Sequence, residues 1–152
     1  MPGPLVGLEN TLATLPVVTR RAGETVLSTG LKTGILMILK RGAVAVLKDS
    51  IEIARVDEPG AVLGEISALL DQPHTSEVRA LEESQFYVAD AVLLERDLSV
   101  LLYVARIMAE RLVAADDSLA QAKKESQAGR PPAFGEILNK LELIFAADRG
   151  GF

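Results

Sequence analysis

Short apolar runs, separated by turn residues, make up the middle of the chain. The runs are ILMIL (35–39), AVAVL (43–47), IEIARV (51–56) and SQFYVADAV (84–92). Their similar lengths and even spacing predict strands of an antiparallel sandwich or barrel. The triplet KDS at 48–50 lies between two runs and predicts a hairpin turn.

After about Asp90 the apolar positions change to a helical period. They fall at Leu94, Leu98, Leu101, Ala105, Met108, Leu112, Ala115, Leu119 and Ala122. Their spacing alternates between four and three residues, which is the heptad pattern of a coiled coil. The first half, Leu94 to Met108, is expected to pack on its own domain, because the extra apolar residues Val100, Leu102, Val104 and Ile107 widen its apolar side. From Ala109 onward only the narrow seam remains, so we predict pairing with a second copy. The predicted homodimer interface comprises Leu98, Leu101, Ala105, Met108, Leu112, Ala115 and Leu119.

The two ends of the chain are expected to be less regular. A short helix is predicted at 8–15, ending at Pro16. The domain is predicted to span 1–122, with its C-terminal helix at about 93–122. Residues 123–152 are predicted as a polar linker followed by one short amphipathic helix within 131–152.

Composition restricts the classes of function. The chain has 152 residues, enough for one domain with a substantial core, and a net charge of −5. It contains no cysteine and one histidine, His74, so disulfides and thiolate metal sites are excluded and no metal site is expected. No nucleophile and base are recognisable, so we expect neither catalytic residues nor an enzyme. The lack of a signal peptide or a long apolar span predicts a cytoplasmic protein without a membrane segment.

Six short motifs give residues 19–122 a specific resemblance. They are RAGETVLSTG (21–30), ILKRGAVAVL (38–47), GEISALL (64–70), Pro73, VRA (78–80) and AERL (109–112). In this order the motifs resemble the cyclic nucleotide-binding domain of the bacterial catabolite activator type. The resemblance implies a mainly β fold with flanking helices: a double-stranded β-helix (jelly roll or β-roll) followed by a long dimerisation helix. It also implies a phosphate-binding cassette at 64–78.

The cassette provides the candidate ligand-binding residues. By resemblance they are Gly64, Glu65, Ile66, Ser67, His74, Thr75 and Ser76. In the family, backbone N–H groups at the start of a short helix receive the cyclic phosphate. Glu65 would accept a hydrogen bond from the ribose 2′-hydroxyl, and Thr75 or Ser76 would supply a hydroxyl donor.

Several positions depart from the family pattern. His74 stands where the family has an arginine, and an exposed histidine with a pKa of about 6.5 is mostly neutral at pH 7. Glu77 adds a negative charge near the expected phosphate, and Ala115 and Asp116 replace hydroxyls that read the base. A cyclic nucleotide is therefore expected to bind weakly or not at all, with some attraction regained when His74 is protonated. The plain alternative for His74 is a surface residue of a turn.

Three functions remain open at this point. The first is a regulatory or sensor module with a degenerate cassette, acting through dimerisation or a partner. The second is the ligand-binding part of a catabolite activator-type transcription regulator, and the third is a purely structural dimerisation module. Binding of nucleic acid by this chain is not expected, because the chain is acidic and few basic residues follow the long helix.

Overall fold

The structure, a computed structural model, describes residues 2–128. The helices are α1 (Pro2–Thr14), α2 (Glu65–Leu70), α3 (Ala91–Arg96) and α4 (Leu98–Gln127). The strands are β1 (Val17–Arg20), β2 (Thr25–Leu27), β3 (Ile35–Arg41), β4 (Val44–Lys48), β5 (Ile51–Val56), β6 (Val62–Leu63), β7 (Glu77–Ala80) and β8 (Ser84–Asp90). The helix predicted within 131–152 lies outside the described residues.

The strands form two antiparallel sheets of four strands each. Their orders are β1-β8-β3-β6 and β2-β7-β4-β5, so each sheet combines strands from early and late parts of the chain. This arrangement confirms the predicted mainly β fold with flanking helices. It also places α2, which opens the cassette, directly after the short strand β6.

Strand β3 is buried on both faces, which explains its uninterrupted apolar sequence. Leu36 and Ile38 belong to a core cluster that includes Leu8, Val100 and Val104 of the helices. Met37 and Leu39 point to the opposite face, into a second cluster with Phe86 and residues of both sheets. A strand with one solvent-exposed face would instead alternate polar and apolar residues.

Two turns require special backbone conformations. Asp49 and Ser50 have φ angles of 52° and 65°, which are typical of a two-residue hairpin turn and confirm the predicted turn. Gly42 has a φ of 112°, and a Cβ placed there would lie 2.6 Å from the Cα of Ser84. Only glycine fits this close approach between β3 and β8 without a backbone shift.

The predicted C-terminal helix is divided at Asp97, and the prediction of a continuous helix from about 93 was wrong. The Asp97 N–H donates to the carbonyl of Leu93 at 2.8 Å, while its carboxylate accepts from the Val100 N–H at 3.1 Å. Asp97 thus ends α3 and begins α4. At the other end α4 continues to Gln127, so residues 123–127 are helical rather than part of a linker.

The buried side of α4 does not follow the predicted seam. Val100, Val104, Ala115 and Ala122 are buried, whereas Leu98, Leu101, Ala105, Leu112 and Leu119 are exposed and Met108 is partly buried. A seven-residue repeat drifts by about 20° per heptad on a straight helix. One row of the predicted seam, Leu101, Met108 and Ala115, therefore turns from the solvent side to the buried side, so Ala115 does not belong to the exposed surface. The other row, Leu98, Ala105, Leu112 and Leu119, stays exposed.

Candidate functional site

The first turn of α2 is formed around a glycine that no other residue can replace easily. Gly64 has a φ of 83°, and a Cβ there would lie 2.9 Å from the carbonyl oxygen of Ile35. The same position is 3.1 Å from the Cε1 atom of His74. The imidazole ring therefore packs directly against the start of α2.

His74 is buried, with 4% of its surface exposed, so the interpretation as a surface residue of a turn was wrong. Its Nε2 atom lies 2.7 Å from the hydroxyl of Thr33. Its backbone N–H donates to the carbonyl of Leu31 at 2.9 Å, and its carbonyl accepts from the Gly30 N–H at 2.9 Å. Side chain and backbone are both bound to residues 28–34, which we call the β2–β3 loop.

Burial lowers the pKa of His74, and the nearby Glu65 carboxylate opposes this shift only in part. Because burial disfavours the charged form, His74 remains neutral to lower pH than an exposed histidine. The expected gain of phosphate attraction on mild acidification is therefore opposed by the environment of the ring.

Ser67 connects α2 to the same loop. Its side chain is buried, and its hydroxyl oxygen accepts hydrogen bonds from the Thr33 N–H at 3.0 Å and the Gly34 N–H at 2.8 Å. The Ser67 hydroxyl oxygen, which was predicted to contact a ligand, therefore already accepts two hydrogen bonds from the backbone. Ile66, its neighbour in the cassette, is buried as an apolar core residue.

Glu65 is bound to helix α4. The Arg111 Nη1 atom lies 2.7 Å from Glu65 Oε1, and the Glu65 side chain is mostly buried. Arg111 also donates through Nη2 to the carbonyl of Val62. The carboxylate expected to accept a ribose hydroxyl therefore has a partner within the chain.

The remaining cassette positions are less engaged. Thr75 and Ser76 are half-buried, and within residues 2–128 their hydroxyls make no hydrogen bond. The Glu77 carboxylate is paired with Arg79 at 2.8 Å, which reduces the negative charge expected to repel a phosphate. Of the two positions expected to face a base, Ala115 is buried and Asp116 is exposed.

Thr33 and Arg111 are the important residues that sequence reasoning missed. Thr33 lies outside every motif that carries the resemblance. Arg111 is contained in the AERL motif, but the heptad pattern places it only among the polar surroundings of the seam. Both contacts join positions more than forty residues apart, 41 for Thr33 and His74 and 46 for Glu65 and Arg111.

Similarity to a known protein family agrees with this fold. Residues 17–98, more than half of the chain, match the family described as "Cyclic nucleotide-binding domain". The chain belongs to the cyclic nucleotide-binding domain family. This confirms the resemblance, and the cyclic nucleotide-binding domain is a regulatory module rather than an enzyme.

Solved structures show the same fold. The chain is similar to the catabolite activator protein of Thermus thermophilus, with 18% identity over 97% of this chain and 88% of that one and a TM-score of 0.65. It is 26% identical to the N-terminal domain of a transcriptional regulator from Streptomyces coelicolor A3(2), over 76% of this chain and 90% of that one, with a TM-score of 0.56. A cAMP-bound PfPKA-R (141–441) is 18% identical over 79% of this chain, with a TM-score of 0.54, and this chain spans only 39% of it.

A comparison with curated protein sequences gives no match. Between residues 2 and 128, none of the helices combines the length and hydropathy needed to cross a membrane. In the same part of the chain, no three His, Cys, Asp or Glu side chains are grouped as metal ligands would be.

Proposed function

We propose that this chain is a regulatory module of the cyclic nucleotide-binding type whose cassette has lost its phosphate anchor, and that it acts by pairing with a second copy through α4. Cyclic nucleotides are weak ligands in this proposal, with dissociation constants in the high micromolar range or above. The purely structural dimerisation module is the limiting case in which no nucleotide binds.

One observation carries the proposal for the cassette. The residue at the arginine position, His74, is a buried imidazole bound to Thr33. A neutral imidazole does not provide the two-pronged, charge-assisted contact that a guanidinium makes with phosphate. Loss of such a contact weakens binding by roughly 1.5–3 kcal/mol, or one to two decades in affinity.

Calorimetric titration with cAMP and cGMP tests this part of the proposal. We expect weak binding by the unmodified chain and at least a tenfold increase in cAMP affinity for His74→Arg, since about 1.4 kcal/mol is sufficient. Ile51→Arg adds the same charge on the exposed edge strand β5 and serves as the control for net charge. Submicromolar binding of cAMP by the unmodified chain contradicts the proposal.

The exposed apolar side chains of α4 support the proposal of a homodimer. We call them the open face: Leu98, Leu101, Leu102, Ala105, Ala109, Leu112, Val113 and Leu119. Leu98, Leu112 and Val113 are 68%, 50% and 60% exposed. Two such helices packed together remove this apolar surface from water, which stabilises the pair by roughly 25 cal/mol per Å² of buried apolar area.

A second candidate is the ligand-binding part of a transcription regulator. The likeness to the N-terminal domain of the Streptomyces coelicolor regulator favours it. In this proposal the 152-residue chain supplies sensing and pairing but does not contact DNA, because its net charge is −5. Saturable, sequence-dependent retardation of duplex DNA by this chain at physiological salt contradicts that division of roles.

A further inference from the structure

The β2–β3 loop is bound to the cassette through residues 30–34. Gly30 and Leu31 pair with the backbone of His74, and the Thr33 hydroxyl contacts the His74 ring. The Ser67 hydroxyl oxygen accepts from the Thr33 and Gly34 N–H groups, and Lys32 forms an ion pair with Asp71 at 3.1 Å. The loop is therefore fixed both to the start of α2 and to the turn that follows it.

The buried polar groups of the cassette are covered as a result. Ser67 and His74 are 1% and 4% exposed. A ligand in solution reaches neither side chain unless the groups around it move. Each also has a hydrogen-bond partner in the loop, so opening breaks these bonds before new bonds to a ligand form.

We propose that the β2–β3 loop is an autoinhibitory latch, which closes with the cassette as one unit and must open before a ligand contacts Ser67 or residue 74. Two side-chain contacts hold the loop in the closed state: the Thr33 hydroxyl with the His74 ring, and the Ser67 hydroxyl with the Thr33 and Gly34 N–H groups. The latch rests on the proposed function only in that the ligand enters at the cassette. It adds an opening step that lowers the apparent affinity by the fraction of molecules that are open.

Amide hydrogen exchange measured residue by residue by NMR tests the latch without any ligand. The variants are Ser67→Ala and Thr33→Val, and Thr29→Val is the control because Thr29 is an exposed hydroxyl residue of the same loop. The informative amides are those of Gly30 and His74, whose acceptors are backbone carbonyls that neither substitution alters. If the loop opens as a unit, both amides exchange faster in each variant while the amides of the paired strands β4 and β5 change less. The expected acceleration is about tenfold in Thr33→Val, which loses one hydrogen bond to His74, and larger in Ser67→Ala, which loses two.

Two results overturn the latch. In the first, faster exchange in Ser67→Ala is limited to Thr33 and Gly34, the amides that lose their acceptor, and Gly30 and His74 keep their protection. In the second, Thr29→Val accelerates exchange as much as Thr33→Val. Thermal melts of all variants show whether either substitution unfolds the protein, and either folded variant is sufficient for the test.

Titration with cAMP then separates the latch from the proposed function. Because the opening equilibrium enters the apparent affinity directly, Thr33→Val binds cAMP about tenfold more tightly than the unmodified chain. Faster exchange at Gly30 and His74 with unchanged cAMP affinity contradicts inhibition by the latch. Failure of both Thr33→Val and His74→Arg to bind cAMP contradicts a nucleotide-binding role and leaves the purely structural module, whereas the exchange rates still decide whether the loop opens as a unit.

Discussion

The cassette and helix α4 use their surfaces in opposite ways. In the cassette, the polar groups of Glu65, Ser67 and His74 are paired within the chain. Along α4, Leu112 and Val113 remain exposed although they are large and apolar. In the region predicted to bind a small ligand, these three side chains have partners within the chain, whereas the region predicted to pair with a second copy leaves large apolar side chains exposed.

The two regions contribute to different properties: one to the stability of the folded chain, the other to its association with another surface. A buried hydroxyl or imidazole that has its hydrogen bonds adds to a unique folded state. An apolar stripe in water adds nothing to the stability of the single chain, but it favours association with a matching surface. Substitutions in the two regions should therefore affect different measurements, and the following predictions test this.

The largest effect is expected on the open face. Leu112→Lys combined with Leu119→Lys should produce a folded monomer, because each lysine places a charge in the seam between two helices. Sedimentation equilibrium should show a dimer for the unmodified chain and at least a hundredfold weaker association for the double variant, about 2.7 kcal/mol. The matched control is Ile51→Lys with Leu81→Lys, two exposed positions outside α4. An unmodified chain that is monomeric at micromolar concentration refutes the prediction.

Ser67→Ala should destabilise the folded chain without changing its association. Its hydroxyl accepts two backbone N–H groups, and removal leaves both without that partner. We expect the free energy of unfolding to fall by about 2 kcal/mol in urea titrations. Ser126→Ala, at an exposed position of α4, should change it by less than about 0.5 kcal/mol. Equal effects of the two substitutions would show that the Ser67 hydroxyl is not important for stability.

A smaller loss is expected for Arg111→Met, which keeps much of the apolar stem but removes the contacts to Glu65 and Val62. The Arg111 side chain is 42% exposed, so solvent weakens the ion pair and the expected loss is about 1 kcal/mol. Arg111→Lys should give an intermediate value, because lysine keeps the charge without the forked geometry. Lys123→Met controls for the removal of one positive charge. A loss in Arg111→Met no larger than in this control contradicts the prediction.

The smallest effect is a dependence of stability on pH. The pKa of His74 is lowered in the folded state, mainly by burial, so the unfolded chain binds more protons at mildly acidic pH. The contribution of neutral His74 to stability is complete above the unfolded pKa of about 6.5 and decreases as the pH falls below it. Melting temperatures at pH 7.5 and pH 5.5 should therefore differ more for the unmodified chain than for His74→Gln. A larger difference in the variant excludes this origin.

The fold was largely predictable because local patterns determine it. The run ILMIL and the triplet KDS became β3 and a hairpin turn, and the chain order of the motifs identified the family. The pairing of His74 and Glu65 within the chain was not predictable, because their partners Thr33 and Arg111 lie far away in the sequence. The exposed side of α4 was predicted only in part, because a heptad count assumes a supercoiled helix, whereas Val100 and Val104 of this helix pack on the core of its own domain.

Asp97 connects helices α1, α3 and α4, so a change of angle at this residue alters the direction of the long helix α4. Its carboxylate accepts a hydrogen bond from Thr11 of α1 at 2.6 Å and caps α4 at the same time. The 30 residues of α4 extend roughly 45 Å from Asp97, at about 1.5 Å per residue. A tilt of about 10° at Asp97 therefore moves the far end of α4 by roughly 8 Å, while the first turn shifts by only about 1 Å. A small rearrangement where α1 meets Asp97 would thus be amplified along the helix, and it would also have to shift the contacts that Val104 and Arg111 make with the domain.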